Sequence, residues 1–497
     1  MTAQDILATI KDPSLTYHQR LLALARAAEN LPPPIPLSDE AEWLRARGII
    51  FDMGEGNAPY RPRYTLPDYG RFLKNGSRFL MLDPARDIHE AVDNLLILYH
   101  HVPSVTGQPV FIGHLDRLLE PFVNDEDEAR RAIRTLLIHV DRTVSDSFCH
   151  CNIGPHNTRA GRIILELSVQ MQRPVPNMTL LYSGETPDEF ALAAIQAGLV
   201  VSKPSFANHE MYTKDWGEAY GIASCYNALP LGGGGLTLGR LDLKALAGLA
   251  DSPRHFLSEL LPKAVAAQCE QMERRCAFIV DECGFYENSF LVDEGLLAPE
   301  RFVNMFGMVG LAECVNALLG LEKPEERYGH GEDAARFAEQ ILDAMHAQVD
   351  AYQSKYGKFY LHAQVGISSD VELSPGTRIP IGEEPVLPKH LSFTARTQKH
   401  FLSGTGDLFP FDETAKRNPQ AVLDIIKGAF ALNTRYFSFY SSDTDVIRVT
   451  GYLVKRSDLE KLRAGQVVLA TSTALGDGAA AGLGILERKV RTGQNAN

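Results

Sequence analysis

The chain has 497 residues, of which 45% are hydrophobic and 22% charged, and this predicts a globular protein with a large buried core. The formal net charge of −13 repels phosphate backbones and argues against non-specific nucleic-acid binding. The N-terminus lacks the apolar core of a signal peptide and no apolar run reaches about 18 residues, so we expect a cytoplasmic protein without a membrane segment.

The pattern of apolar, proline and glycine residues divides the chain into three regions. Residues 1–85 are predicted to form an N-terminal helical extension, which the prolines of 31–36 interrupt. Residues 86–435 alternate helical and strand-like segments, a pattern typical of an α/β arrangement. Residues 436–497 are predicted to form a C-terminal unit.

Apolar periodicity and segment length predict the individual elements. The predicted helices of the central region span 88–99, 115–122, 128–138, 187–197, 245–250, 262–272, 301–318 and 332–352. The predicted strands are shorter apolar runs at 177–182, 277–280 and 359–364. In the C-terminal unit, 445–455 is strand-like and 456–463 has the composition of a helix.

Seven cysteines are scattered along the chain, at positions 149, 151, 225, 269, 276, 283 and 314. An odd number at irregular spacing in a large chain does not indicate a disulfide framework. No pair has the C-x-x-C spacing of zinc or iron–sulfur ligands, and the histidines show no H-E-x-x-H pattern. We therefore predict no metal site.

Gly451 interrupts the strand-like segment 445–455, which is otherwise largely apolar and β-branched. A glycine in such a position is typical of a bulge or a hairpin corner. It also has a chemical interpretation, because a radical on Cα is stabilised by delocalisation over the flanking amide groups and requires a planar Cα. Glycine has no Cβ to oppose that geometry, and apolar neighbours would keep the site dry.

The sequence near the C-terminus resembles a known fingerprint. The segment Ile447-Arg-Val-Thr-Gly-Tyr452 is similar to the Arg-Val-(Ser/Thr/Ala)-Gly-Tyr motif that bears the stored radical of glycyl radical enzymes. Residues 105–113, 204–210 and 305–316 also resemble that superfamily, especially its anaerobic ribonucleotide reductase branch. Over residues 90–460 the chain looks most like the YjjI-type glycine radical enzymes.

Cys225 has the surroundings of the working thiol that this resemblance implies. In glycyl radical enzymes the stored radical passes to a cysteine on a loop inside the barrel, and the thiyl radical abstracts hydrogen from substrate. Cys225 follows small residues and precedes Pro230 and the four glycines 232–235. This composition predicts a loop whose backbone packs closely against other parts of the chain. A plain turn that contains a buried cysteine would have the same composition.

Five further residues are candidates for the substrate pocket. Cys149 and Cys151, two residues apart, would face the same side of a strand and could line the cavity as a redox pair or pack in the core. Asn208, His209 and Glu210 lie in one of the family-like segments. The histidine and the glutamate could act as general acid or base, or all three could form a surface turn.

The resemblance also implies a fold, an activation chemistry and partners. It implies a ten-stranded α/β barrel of two five-stranded halves with helices outside, in which the cysteine and glycine loops meet. It implies an anaerobic, oxygen-sensitive homodimer without a permanently bound cofactor. The radical on Gly451 would be installed with S-adenosylmethionine by a radical SAM activase.

Three departures from other branches of the superfamily bear on the reaction. Ser224 precedes Cys225 where formate acetyltransferases carry a second cysteine, which argues against that acyl transfer. Asn227 stands where many glycyl radical dehydratases and lyases carry the glutamate of a Cys-x-Glu motif, which argues against a standard elimination site. The four-cysteine zinc site of anaerobic ribonucleotide reductases is missing from the sequence, and residues 1–85 offer no candidate for their nucleotide-binding regulatory domain.

These observations predict an oxidoreductase or lyase that abstracts a hydrogen atom from a small organic substrate. Two reactions remain open as alternatives: reduction of a nucleotide or deoxysugar in the manner of ribonucleotide reductase, and C–O or C–C cleavage of a diol or acid. A non-catalytic member of the same fold, which only binds a partner or metabolite, is disfavoured because Gly451 and Cys225 are both present.

Overall fold

The computed structural model describes residues 2–29, 35–52, 60–144, 148–363, 373–449, 452–470 and 488–492. Within them the α-helices are α1 (Ala3–Lys11), α2 (Tyr17–Glu29), α3 (Asp39–Ala46), α4 (Tyr69–Asn75), α5 (Ile88–Tyr99), α6 (Leu115–Leu119), α7 (Glu126–Thr143), α8 (Arg159–Met171), α9 (Asp188–Val201), α10 (His209–Trp216), α11 (Leu243–Ala247), α12 (Pro253–His255), α13 (Leu261–Ala277), α14 (Phe290–Asp293), α15 (Leu311–Leu319), α16 (Glu332–Ala351), α17 (Leu387–Ala395), α18 (Thr414–Arg417), α19 (Pro419–Ala431) and α20 (Arg456–Arg463). The β-strands are β1 (Ile50–Asp52), β2 (Tyr64–Leu66), β3 (Phe111–His114), β4 (His150–Ile153), β5 (Asn177–Tyr182), β6 (Ser205–Asn208), β7 (Tyr220–Ala223), β8 (Asn227–Pro230), β9 (Gly233–Asp242), β10 (Phe302–Val309), β11 (Phe359–His362), β12 (Asp407–Phe411), β13 (Tyr436–Ser441), β14 (Val446–Arg448) and β15 (Leu453–Lys455).

Two sheets form the centre of the molecule. One has six strands in the order β12-β13-β6-β5-β4-β3, and in the other β9, β10 and β11 are neighbours while β1 and β2 both pair with β9. The strands from β3 to β6 and from β9 to β11 run parallel, as expected when helices make the crossovers. The predicted α/β class is therefore confirmed, with six and five strands in the two sheets of the described fold.

Helices cover the outer faces of both sheets. The six-stranded sheet packs with α5, α7, α8 and α9 in one large apolar cluster, and β9 to β11 pack with α13, α15 and α16 in a second. Strands β5 and β10 consequently have no exposed residue, and β10 is a nearly continuous apolar run. Among the residues that the structure describes, no helix has the length and apolar character needed to cross a bilayer.

The sequence pattern predicts some elements to the residue and misplaces others. Helix 88–99 and strand 177–182 are confirmed with unchanged bounds. The predicted helix 301–318 is wrong in its first half, which is β10, because a strand buried on both faces lacks the two-residue alternation that identifies strands. The predicted strand 277–280 is also wrong, since this run continues α13 through a π-helical turn and is too short for its period to be read.

Both terminal regions contribute strands to the central sheets. From residues 1–85, β1 and β2 pair antiparallel with β9, and from residues 436–497, β13 lies between β12 and β6. The glycine run at the start of β9 packs tightly, as its composition predicts, because a Cβ on Gly234 would lie 2.1 Å from the Tyr64 carbonyl oxygen. The proposed boundaries near residues 85 and 435 stay predictions.

Candidate active site

Cys225 lies at the tip of a β-hairpin. Strands β7 and β8 pair antiparallel with Ala223 opposite Asn227, so Ser224, Cys225 and Tyr226 form a three-residue turn, called here the cysteine turn. Ser224 has a left-handed φ of 60°, which lets the chain reverse within so few residues. Cys225 is 6% exposed and packs in an apolar cluster. The segment that its composition predicts as a loop is therefore a buried hairpin.

Polar side chains of the six-stranded sheet hold the first strand of this hairpin. His114 Nε2, at the end of β3, lies 2.8 Å from the Tyr220 carbonyl oxygen. Asn152 on β4 pairs with Ile222 in both directions, because its Nδ2 donates to the carbonyl at 2.9 Å and its Oδ1 accepts the N–H at 2.8 Å. The amide side chain thus imitates a neighbouring strand, and β7 runs along the inner face of the sheet.

Two side chains at the starts of β4 and β5 anchor the cysteine turn. His150 Nδ1 donates to the Ser224 carbonyl, and Asn177 Nδ2 donates to the same oxygen at 3.2 Å. With the proton on Nδ1, His150 Nε2 accepts from Thr179 Oγ1 at 2.7 Å. The hairpin therefore extends from the carboxyl end of β3 to the amino ends of β4 and β5, where the turn is fixed.

The five-stranded sheet holds the second strand of the hairpin. The Tyr226 hydroxyl donates to the Ala363 carbonyl, just after β11. Asn227 Oδ1 accepts from Nε2 of His362, the last residue of β11, and Asn227 Nδ2 lies 3.1 Å from the Tyr64 hydroxyl on β2. The cysteine turn is therefore enclosed between the two sheets.

His362 is held neutral with one ring nitrogen available as a hydrogen-bond acceptor. Because Nε2 donates to Asn227 Oδ1, Nδ1 is unprotonated, and Nδ1 is buried without a hydrogen-bond partner among the described residues. Burial lowers the pKa of His362 to about 3, so the ring is neutral near pH 7 and is a weak base. A substrate hydroxyl that reaches Nδ1 could therefore donate a hydrogen bond to it.

Acid is expected to destabilise the protein through His114, His150 and His362. Burial lowers the pKa of each to about 3, below the ordinary value of 6.5. Their contribution to the free energy of unfolding is fully present above pH 6.5. It is lost as the pH falls towards 3, by about 1.4 kcal/mol per pH unit for each histidine. Between pH 7.5 and pH 5.5, the free energy of unfolding measured with urea should therefore fall by about 1.4 kcal/mol less in His362→Gln than in the wild type.

The difference between variant and wild type is the quantity to measure, because another buried group acts in the opposite direction. Burial raises the pKa of Asp116 to about 6, so this carboxyl favours the folded state as the pH falls from 6 towards its ordinary value. An identical loss in His362→Gln and wild type would contradict the neutral, buried state of this histidine.

Thr450 and Gly451 lie outside the described residues, but the segments on both sides are described. Strands β14 and β15 pair antiparallel, and the Val449 N–H donates to the Tyr452 carbonyl at 3.1 Å. The segment 445–455, predicted as one strand, therefore contains two strands of a hairpin. Val449 is fully buried and Tyr452 is 4% exposed, so the described flanks of the glycine are shielded from water.

Asn177 connects the cysteine turn with the segment that precedes Gly451. Its Nδ2 donates to the Ser224 carbonyl, and its Oδ1 accepts from Arg448 Nη2 at 3.1 Å. Asn177 and Arg448 are both buried, at 0% and 1% exposure. One buried amide therefore contacts the residue directly before Cys225 and the residue three positions before Gly451.

Cys149 and Cys151 lie in the core and not at the cysteine turn. Alternate residues of an extended strand face opposite sides, and His150 and Asn152 are the ones that face the hairpin. Both cysteines are fully buried in the large apolar cluster of the six-stranded sheet. Burial raises the pKa of Cys151 to about 12, which disfavours a reactive thiolate.

Asn208, His209 and Glu210 lie in three different environments. Asn208 caps α10 by accepting a backbone hydrogen bond from its first turn at 3.3 Å. His209 Nδ1 lies 2.7 Å from the Tyr220 hydroxyl, at the opposite end of β7 from the cysteine turn. Glu210 is exposed at the surface. Of the three, His209 is the residue placed against the hairpin.

The side chains that hold the cysteine turn are not apparent from sequence motifs. They share one property, which is that each is a polar residue within or at the end of a buried strand: His150, Asn152, Asn177, Thr179 and His362. A polar group in such a position must find a partner, since its burial without one is costly. That mismatch between residue type and strand burial is the signal that could have identified them.

Comparison with known proteins shows the family of this chain. The family model described as "Glycyl radical enzyme YjjI-like" matches residues 15–491. This chain belongs to the YjjI-like glycyl radical enzyme family. A protein of Haemophilus influenzae, described as uncharacterized, is 46% identical over an alignment 500 positions long, which covers 98% of this chain and 97% of that protein.

Solved structures show the same fold. The anaerobic ribonucleotide reductase from Thermotoga maritima, in complex with dATP and CTP, has a TM-score of 0.68 at 12% identity, covering 93% of each chain. The glycerol-bound B12-independent glycerol dehydratase from Clostridium butyricum has a TM-score of 0.66 at 13% identity, covering 92% of this chain and 82% of that one. These similarities confirm the predicted glycyl radical enzyme fold.

Proposed function

We propose that this member of the family stores a radical on Gly451 and uses Cys225 to abstract a hydrogen atom from a small organic substrate. The observation that carries the proposal is the side chain of Asn177, which contacts both the cysteine turn and Arg448. Groups that exchange a hydrogen atom must be held close and in a fixed orientation, because small displacements slow the transfer. A buried amide bound to both segments supports such an arrangement.

The proposed relay moves one hydrogen atom at each step. The Gly451 radical takes the hydrogen atom of the Cys225 thiol, and the thiyl radical then takes one from a substrate carbon, which restores the thiol. After the substrate radical rearranges, the product radical takes a hydrogen atom back from Cys225, and the thiyl radical recovers one from Gly451. Each step breaks one bond to hydrogen and forms another, so the cycle consumes no oxidant or reductant.

A partner has to start the relay. An activase would reduce S-adenosylmethionine by one electron, and the adenosyl radical so formed would remove one hydrogen atom from the Gly451 Cα. Membership of the family supports this partner, a homodimer and an anaerobic, cytoplasmic setting. The burial of Val449 and Tyr452 supports the shielding that a stored radical needs.

Asn227 and His362 support a site that orients a polar group of the substrate. Nδ1 of His362 is unprotonated and could accept a hydrogen bond from a substrate hydroxyl, while its low pKa disfavours a role as base. Asn227, at the position of the glutamate in Cys-x-Glu, binds the opposite nitrogen of that ring. Ser224 stands in place of a second cysteine, which argues against acyl transfer, and Asn227 in place of the glutamate argues against a standard elimination site.

Electron paramagnetic resonance of the protein activated anaerobically with its activase tests the proposal. The remaining Cα hydrogen of Gly451 should split the radical signal into a doublet, and exposure to air should cleave the chain at this residue. Gly451→Ala should lose both effects. Gly428→Ala is the matched control, because a Cβ at this position of α19 meets no atom within 4 Å. An intact, signal-free chain after treatment with an active activase would refute the radical store.

A further inference from the structure

Three buried arginines lie near the cysteine turn or contact the segment that precedes Gly451. The exposed fractions of Arg378, Arg448 and Arg488 are 8%, 1% and 8%. Arg378 Nε donates to the Gly406 carbonyl at 3.0 Å, and Arg488 Nη2 donates to the Val449 carbonyl at 3.1 Å. These bonds hold the guanidinium groups in place but use only part of their five N–H donors.

Two of these arginines lie next to groups that adjoin Cys225. Arg378 Cζ lies 6.0 Å from the centre of the Tyr226 ring, which directly follows Cys225. Arg448 donates to Asn177, which binds the carbonyl directly before Cys225. Burial lowers the pKa of the Arg448 guanidinium, and the charge of Arg378 lowers it further.

The positive charge of these groups is poorly neutralised by the described residues. Within those residues, Arg378 Nη1, Arg448 Nε and Nη1, and Arg488 Nη1 have no hydrogen-bond partner. Asp407 is the carboxylate that reaches the group, with Oδ1 3.8 Å from Arg378 Nε, and its Oδ2 already accepts from His390 Nε2 at 2.7 Å. Unpartnered buried donors of a charged group are costly, and a bound anion would satisfy them.

We propose that Arg378, Arg448 and Arg488 form an anion site beside Cys225 that binds the carboxylate or phosphate group of the substrate. The planar fork of a guanidinium matches two oxygens of either anion. The anionic group would fix the substrate at the arginines while a carbon elsewhere in the molecule faces the thiol. This inference rests on the proposed function and names its class of substrate.

Anion binding to the unactivated protein tests the site without any radical. Calorimetric titrations at constant ionic strength would use inorganic phosphate for the phosphate class and malonate for the carboxylate class. We expect saturable binding of one of them, weakened about 10- to 100-fold by Arg378→Gln and less by Arg378→Lys, which keeps the charge but loses the fork. Arg396→Gln is the matched control, since Glu339 and Glu332 already neutralise that arginine.

A second measurement needs no variant. Bound phosphate or malonate should slow the alkylation of Cys225 by iodoacetamide, followed by mass spectrometry of the peptide that contains it. Absence of binding by both anions, or binding that Arg378→Gln leaves unchanged and that does not protect Cys225, would overturn the anion site. A radical doublet in such a protein would leave the proposed function intact, whereas anion binding without a doublet would refute the function and not the site.

Discussion

In D₂O, the radical doublet of activated Cys225→Ser should persist, whereas the doublet of the wild type should collapse. The thiol of Cys225 exchanges its hydrogen with solvent and then delivers deuterium to the Gly451 Cα each time the radical passes between them. Replacement of the Cα hydrogen by deuterium removes the large splitting. Because a serine O–H bond is much stronger than a thiol S–H bond, the collapse should slow by more than about 10³-fold.

This experiment needs no knowledge of the substrate and separates the storage of the radical from its transfer. Cys151→Ser is the matched control, since this thiol lies in the core and alternates with the residues that face the hairpin. The doublet of Cys151→Ser should collapse at the wild-type rate. Collapse that continues in Cys225→Ser and stops in Cys151→Ser would assign the relay to the cysteines of β4 instead.

The replacement of Asn177 by leucine should slow the same deuterium exchange by about 10²-fold while the doublet persists, because the two segments lose their shared contact. Leucine has a similar size but leaves the Ser224 carbonyl and the Arg448 guanidinium each short of one hydrogen bond. The lost bonds should also destabilise the fold by about 1–3 kcal/mol. The rate of doublet collapse and the midpoint of urea unfolding measure the two effects separately.

Asn94→Leu distinguishes positioning from a general loss of stability. Asn94 is a buried amide on α5 that donates to the Asp83 carbonyl at 2.9 Å, away from both hairpins. Its loss should lower stability by a similar amount and leave the exchange rate unchanged. Equal exchange rates in Asn177→Leu and wild type would show that Asn177 does not position the relay.

Local sequence was sufficient for the features that depend on short segments. Helix α5 has an uninterrupted helical period and begins at the capping Asp87, and its bounds follow from the sequence alone. Strand β10 was misread because burial on both faces removes alternation, and burial is a property of the folded chain. The division of the segment 445–455 into two strands likewise depends on which residues pair with each other.

The sequence by itself determined the α/β class, the resemblance to glycyl radical enzymes and the two residues proposed to carry the radical, because these rest on motifs of a few consecutive residues. Only the tertiary structure decided that His150, Asn177 and His362 hold the cysteine turn, and that Arg378 lies near Tyr226 while Arg448 binds Asn177. These contacts join residues far apart in the chain, and which distant residues meet is set by the packing of the two sheets around the hairpin.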